Sequence, residues 1–123
     1  MARHFKELIV WQRADALRQA VWSVVVGVPA MDLRFRAQWT DATRSVCSNI
    51  AEGFGRRTHR EFARYLEIAG SSLREAEDLT HEALMRGHLN RAMAAELDRL
   101  VRRTAAPLGR LISYLRRTPD ARS

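Results

Sequence analysis

The sequence is poor in the features that hold small secreted domains together. It has one cysteine, Cys47, so an internal disulfide framework is excluded. It has three prolines and six glycines, and Gly27, Pro29, Gly53, Gly55, Gly87 and Pro119 close long apolar-periodic stretches, so a loop-dominated fold is excluded. Strand signals are weak throughout: alternating runs are missing and aromatic residues make up only 7%. The one sustained apolar run, Ala20 to Ala30, is far too short to cross a membrane. It follows Arg13 and Arg18 as a signal-peptide core would, but Glu7 and Asp15 interrupt the cationic leader, and the run continues a helical periodicity that begins earlier. It reads as core, and the expected location is cytoplasmic.

Lysine is also nearly absent. Lys6 is the only one, and every other basic residue among the 21 Lys+Arg is arginine. Against 14 acids this leaves a formal net charge of +7. Arginine is the better group for bidentate contact with phosphate or carboxylate. Arginine richness also follows from GC-rich coding, so composition alone leaves a nucleic-acid role open. The 46% hydrophobic content is ordinary for a folded chain, and 123 residues suit one domain able to bury a core without staples.

Four stretches carry helical periodicity, and the spacing predicts helices over 8–26, 33–54, 59–86 and 91–117. The stripes are Val10, Trp11, Ala14, Leu17, Val21, Val24 and Val28; Phe35, Trp39, Ala42, Val46, Ile50 and Gly53; Phe62, Leu66, Ala69, Leu73, Ala76, Leu79 and Ala83; and Met93, Leu97, Leu100, Thr104, Leu108, Leu111 and Leu115. Thr58 and Glu61 are spaced as a capping box, Asn90 suits an N-cap, and Gly87 suits the left-handed residue past a helix end. Short connections make successive helices antiparallel. The expected fold is all-α, an up-down-up-down antiparallel four-helix bundle formed by the single domain 1–123. Pro107 falls inside the fourth helix, where it removes a donor and crowds the Arg103 carbonyl; a kink and not a break is expected. Ala69, Gly70, Ser71 and Ser72 are all small, which suits close packing inside the bundle or against another subunit.

Three segments carry a family resemblance. They are Phe5-Lys6-Glu7-Leu8-Ile9-Val10-Trp11-Gln12-Arg13-Ala14, Ser45-Val46-Cys47-Ser48-Asn49-Ile50-Ala51-Glu52-Gly53-Phe54-Gly55-Arg56, and Phe62 through Glu75. Together they resemble the four-helix-bundle proteins encoded in ribosomal-RNA intervening sequences, a family similar to the accessory variability determinant of diversity-generating retroelements. The resemblance implies a ring of five copies. In the retroelement branch it implies a basic surface that binds nucleic acid and a partner reverse transcriptase. Pro107 and the arginine-rich last helix lie outside the matching motifs.

Within the motif, Asn49 suits a buried amide tying two helices together, or a ligand contact. Glu52 is placed to accept from the exposed amides that open the third helix, where negative charge is favoured. Gly53 and Gly55 suit the turn that follows. No catalytic constellation is present. A di-iron bundle needs paired Glu-x-x-His motifs, and the chain offers only Asp78-Leu79-Thr80-His81. His4, His59, His81 and His88 read as solvated, Cys47 as a small buried thiol, and phosphate-loop and nucleophile motifs are missing. No cofactor or metal is expected.

Charge is the remaining signal. Arg56, Arg57, Arg60 and Arg64 run from the turn into the third helix, where Glu61, Glu67, Glu75, Glu77 and Glu82 offer partners. In the last helix Arg99, Arg103, Arg110 and Arg117 share a face with few acids nearby, so external or intersubunit partners are expected for them. The sequence therefore points to a non-enzymatic, homo-oligomeric module that binds nucleic acid, structured RNA foremost, through these arginines. The alternative is a protein scaffold whose basic face docks an acidic partner or a reverse transcriptase. Proteins reading phosphates in this way bind in a salt-sensitive, weakly sequence-selective manner.

Overall fold

The computed structural model describes residues 2–120. A 3-10 turn at Phe5–Glu7 leads into α1 (Ile9–Val26), followed by α2 (Leu33–Phe54), α3 (His59–Met85) and α4 (Arg91–Arg117). Each helix packs against its neighbours in sequence, and α4 closes the ring on α1, with no diagonal pairing among the described residues. The fold is an all-α, up-down-up-down four-helix bundle.

The helix ends follow from local chemistry. Asp32 accepts from the Phe35 amide (2.9 Å), Thr58 from the Glu61 amide (3.1 Å) and Asn90 from the Met93 amide (2.8 Å). At Thr58 only the hydroxyl half of the expected box forms; Glu61 does not reach back to the Thr58 amide. Gly87, at φ +83°, ends α3: the His88 amide donates to Ala83 O (2.9 Å) and the Gly87 amide to Leu84 O (3.1 Å). α4 runs unbroken through Pro107, which is buried.

The core is a column of Val10, Ala14, Leu17, Val21 and Val25 from α1 facing the stripes of the other helices. Every stripe residue of α2 is buried, as is every one of α3 but the half-buried Phe62. In α1 the buried valine is Val25, with Val24 only half-buried, and Trp22 and Val26 of the apolar run face outward. In α4 the small Ala94 is buried and the larger Met93 is exposed. Trp39, fully buried, gives its indole N–H to Thr80 Oγ1 (3.2 Å), and Thr80 in turn donates to Ala76 O (2.8 Å). The indole N–H and the hydroxyl proton are both satisfied inside the core.

Candidate nucleic-acid interface

The central motif does its work between α2 and α3. A Cβ placed on Gly53 would lie 2.8 Å from Tyr65 Cβ and 2.9 Å from Phe62 Cδ1, so the two helices meet at a distance only glycine allows. Asn49 does not tie two helices directly. It is half-buried, and its Nδ2 donates to Ser45 O (2.8 Å) and Ser45 Oγ (3.1 Å) on its own helix. The tie itself runs from Ser45 Oγ to Ser72 Oγ of α3, 2.7 Å apart, so Asn49 acts one step back, fixing the serine. Among the small residues of α3, Ser72 therefore serves contact within the bundle.

Glu52 also differs from expectation. It pairs with Arg56 across the turn and leaves the opening amides of α3 to others. Thr58 takes the Glu61 amide, and Asp120, arriving from beyond α4, takes the His59 amide (2.6 Å). The His59 ring lies against Thr118 O at 2.8 Å, so this histidine is a junction between the start of α3 and the end of α4. His88 packs its ring on Phe35 and His4 Nδ1 accepts from the Lys6 amide, so of the four histidines only His81 is exposed without such a contact among the described residues.

The antiparallel arrangement brings two arginine groups to one end of the bundle. Arg60 and Arg64 of α3 and Arg116 of α4 line a depression of about 520 Å³ together with Glu61 and Glu67. Arg116 reaches across to pair with Glu67, so an acid of α3 serves α4. Arg56 is committed as well: besides Glu52 it donates to Tyr65 Oη (2.8 Å). Its guanidinium carbon is 4.8 Å from the Tyr65 ring centroid, and that of Arg64 is 5.1 Å away. Arg57 and Arg60 form no hydrogen bond or ion pair among the described residues.

The face predicted on α4 divides. Arg99 and Arg103 border α1, where with Ile9, Gln12, Arg13, Ala16 and Leu100 they line a groove of about 570 Å³. Arg99 is held by Glu96 through two bonds of 2.9 and 2.7 Å, which keep the Glu96 carboxyl below its ordinary range. Arg110 and Arg117 line neither depression; Arg117 donates to Ser113 Oγ (3.3 Å), and Arg102 and Arg110 have no side-chain partner among the described residues. Arg13 was not among the residues singled out from sequence, yet it stands inside this groove.

A third cleft, between α1 and α2, is charge-balanced. It measures about 690 Å³, and its Asp15–Arg18 and Asp41–Arg44 pairs cancel locally. Cys47, next to it, is buried, and burial pushes its thiol up to about 11 against the weaker opposing pull of Arg18. Among the described residues there is no group of three or more His, Cys, Asp or Glu side chains placed to hold a metal ion. No helix among them is long and apolar enough to cross a membrane.

A search of curated proteins finds no match to the chain. Residues 6–110 match the family model described as 23S rRNA-intervening sequence protein, a span that includes the Gly53 crossing, the Ser45–Ser72 bridge and both grooves' α1 and α3 walls. The chain therefore belongs to the 23S rRNA-intervening sequence protein family.

Proposed function

We propose that the protein is a non-enzymatic nucleic-acid-binding module, with structured RNA its preferred ligand, that works as a homo-oligomer. One observation carries this reading: guanidinium groups exceed carboxylates in the α1–α4 groove and in the α3–α4 depression, and Arg57, Arg60, Arg102 and Arg110 stand without protein partners among the described residues. Unneutralised arginines of this kind suit phosphate oxygens, and the contact carries no base information by itself. The family's name, 23S rRNA-intervening sequence protein, is consistent with an RNA ligand. A ring of five copies, implied by resemblance, would repeat each depression around one assembly and strengthen binding by multivalency.

The test is a gel-shift series with a structured RNA and a matched duplex DNA at rising salt. Affinity that falls steeply with salt, and that drops in an Arg57→Ala/Arg60→Ala/Arg64→Ala variant, is expected. No shift of either nucleic acid in low salt would remove the reading.

A second reading is a protein scaffold whose basic face docks an acidic partner or a reverse transcriptase, with the opposite end of the bundle joining copies of the chain. There Trp22, Val26, Leu33 and Met85 are 55, 58, 73 and 74% exposed. We assign these side chains to contact with a second copy of the chain. Sedimentation of a Trp22→Ser/Val26→Ser variant, still folded but with reduced oligomer mass, is the expected result. A partner retained in a pulldown after nuclease treatment would favour the scaffold over the RNA module.

A further inference from the structure

Pro107 has no amide hydrogen, so the carbonyl four residues earlier in α4, that of Arg103, is left without its helical donor. A carbonyl freed in this way on an exposed helix face is open to water or to another donor that can reach it. Here the donor comes from a different helix: Arg13 Nη1 of α1 bonds to Arg103 O at 3.2 Å. Arg13 is half-buried, so its stem is packed and its head is anchored at one nitrogen. The guanidinium retains further N–H groups with no other hydrogen-bond partner among the described residues. They lie in the same groove as Arg103 and Arg99, which are one helical turn apart, a rise of ~6 Å.

From this we infer that the α1–α4 groove is a phosphate cradle built from Arg13, Arg99 and Arg103, and that Pro107 is the positioning residue that assembles it. The inference rests on the nucleic-acid reading above and names the atoms that hold one backbone phosphate. Three guanidiniums line the groove and no carboxylate among the described residues does; Glu96 beside it fixes Arg99 through that residue's Nε and Nη2, which leaves the other Nη N–H groups of Arg99 for a ligand. Fixed forks match tetrahedral oxyanions better than flexible ammonium groups do. Gln12 also lines the groove, with its Nε2 donating to Lys6 O (2.8 Å). Proline is ordinarily the least favourable residue inside a helix. Its presence at this position, with the freed carbonyl used to hold an arginine, is what a positioning role requires.

The experiment measures binding of a fluorescein-labelled RNA hairpin by anisotropy over a salt series, with circular dichroism and thermal melting as controls on folding. For Arg13→Ala a loss on the order of tenfold is expected, with the salt slope reduced by about one. Arg13→Lys keeps the charge but cannot bond the carbonyl and present a fork together, and most of that loss is expected to remain. Pro107→Ala returns an amide to the Arg103 carbonyl and releases Arg13. It is expected to weaken binding severalfold while the melting temperature holds or rises. If the wild-type protein binds RNA and the Arg13 variants bind equally well, the cradle is wrong and the RNA module stands. If the wild-type protein does not bind at low salt, both fall. Polyglutamate displacing the RNA as effectively at equal charge would show a general anion surface, which overturns the phosphate cradle.

Discussion

Gly53 and Tyr65 touch where α2 and α3 come closest: the position of a Cβ on Gly53 is 2.8 Å from Tyr65 Cβ, inside any normal contact. The obstacle includes the Phe62 carbonyl at 3.2 Å, so rotating a side chain away cannot relieve it. Gly53→Ala therefore has to push the helices apart. A loss of about 1–3 kcal/mol is expected from overpacking, read as a lower urea midpoint at unchanged m-value. Gly70→Ala is the control, since a Cβ there meets Leu108 at an ordinary 3.7 Å.

Thr80 and Trp39 form one polar unit inside an apolar core. Thr80→Val leaves the indole N–H buried and unpaired, and about 1–3 kcal/mol of stability is expected to go with it. In Trp39→Phe the lost indole volume adds its own cost. The double variant should lose less than the two single losses combined, because with the indole gone the Thr80→Val change no longer strands a donor. Additive losses in chemical denaturation would mean that the 3.2 Å contact contributes nothing.

Asn49 supports Ser45, which in turn meets Ser72. Asn49→Ala should cost about 0.5–1.5 kcal/mol for its hydrogen bonds and leave RNA affinity as it was, since its donors are spent inside the bundle. An Asn49→Ala protein that is fully stable but binds RNA poorly would place this residue at the ligand.

Cys47 is expected to be inert in the native protein. Burial raises its thiol to about 11, so at pH 8 roughly one part in a thousand is thiolate. The neutral thiol is favoured in the fold, so the folded state loses stability only as pH climbs past the ordinary thiol range and the unfolded chain ionises first. Ellman's reagent at pH 8 should report the thiol promptly in denaturant and slowly without it. Rapid labelling of the folded protein would indicate opening between α1 and α2.

Much of the fold was legible because its signals are local. Thr58, Asn90 and Gly87 each act within four residues of themselves, and the stripes of α2 and α3 have one large or small apolar residue at each inward position. The reading slipped where several residues compete for one place. In α1, Val24, Val25 and Val26 are equally apolar, and helix rotation, set by partners, buries the middle one. In α4 Met93 and Ala94 are adjacent and both apolar, and the helix's rotation buries the smaller of the two. The candidate site was less legible because its pairs join distant segments. The lost donor at Pro107 can be read from sequence, but that Arg13 would supply the replacement depends on how far α1 slides along α4. Likewise Glu52 could not be assigned to Arg56 before it was known that Thr58 and Asp120 occupy the amides of α3.

The His59–Asp120 contact has a practical side. It holds the chain's exit from α4 against the first turn of α3, directly beside the depression of Arg60, Arg64 and Arg116. A tag, dye or fused domain added after Asp120 is therefore tethered from a point beside that depression. A label near Gly87 or Pro29 would stand at the other end of the bundle, among the side chains assigned to contact between copies.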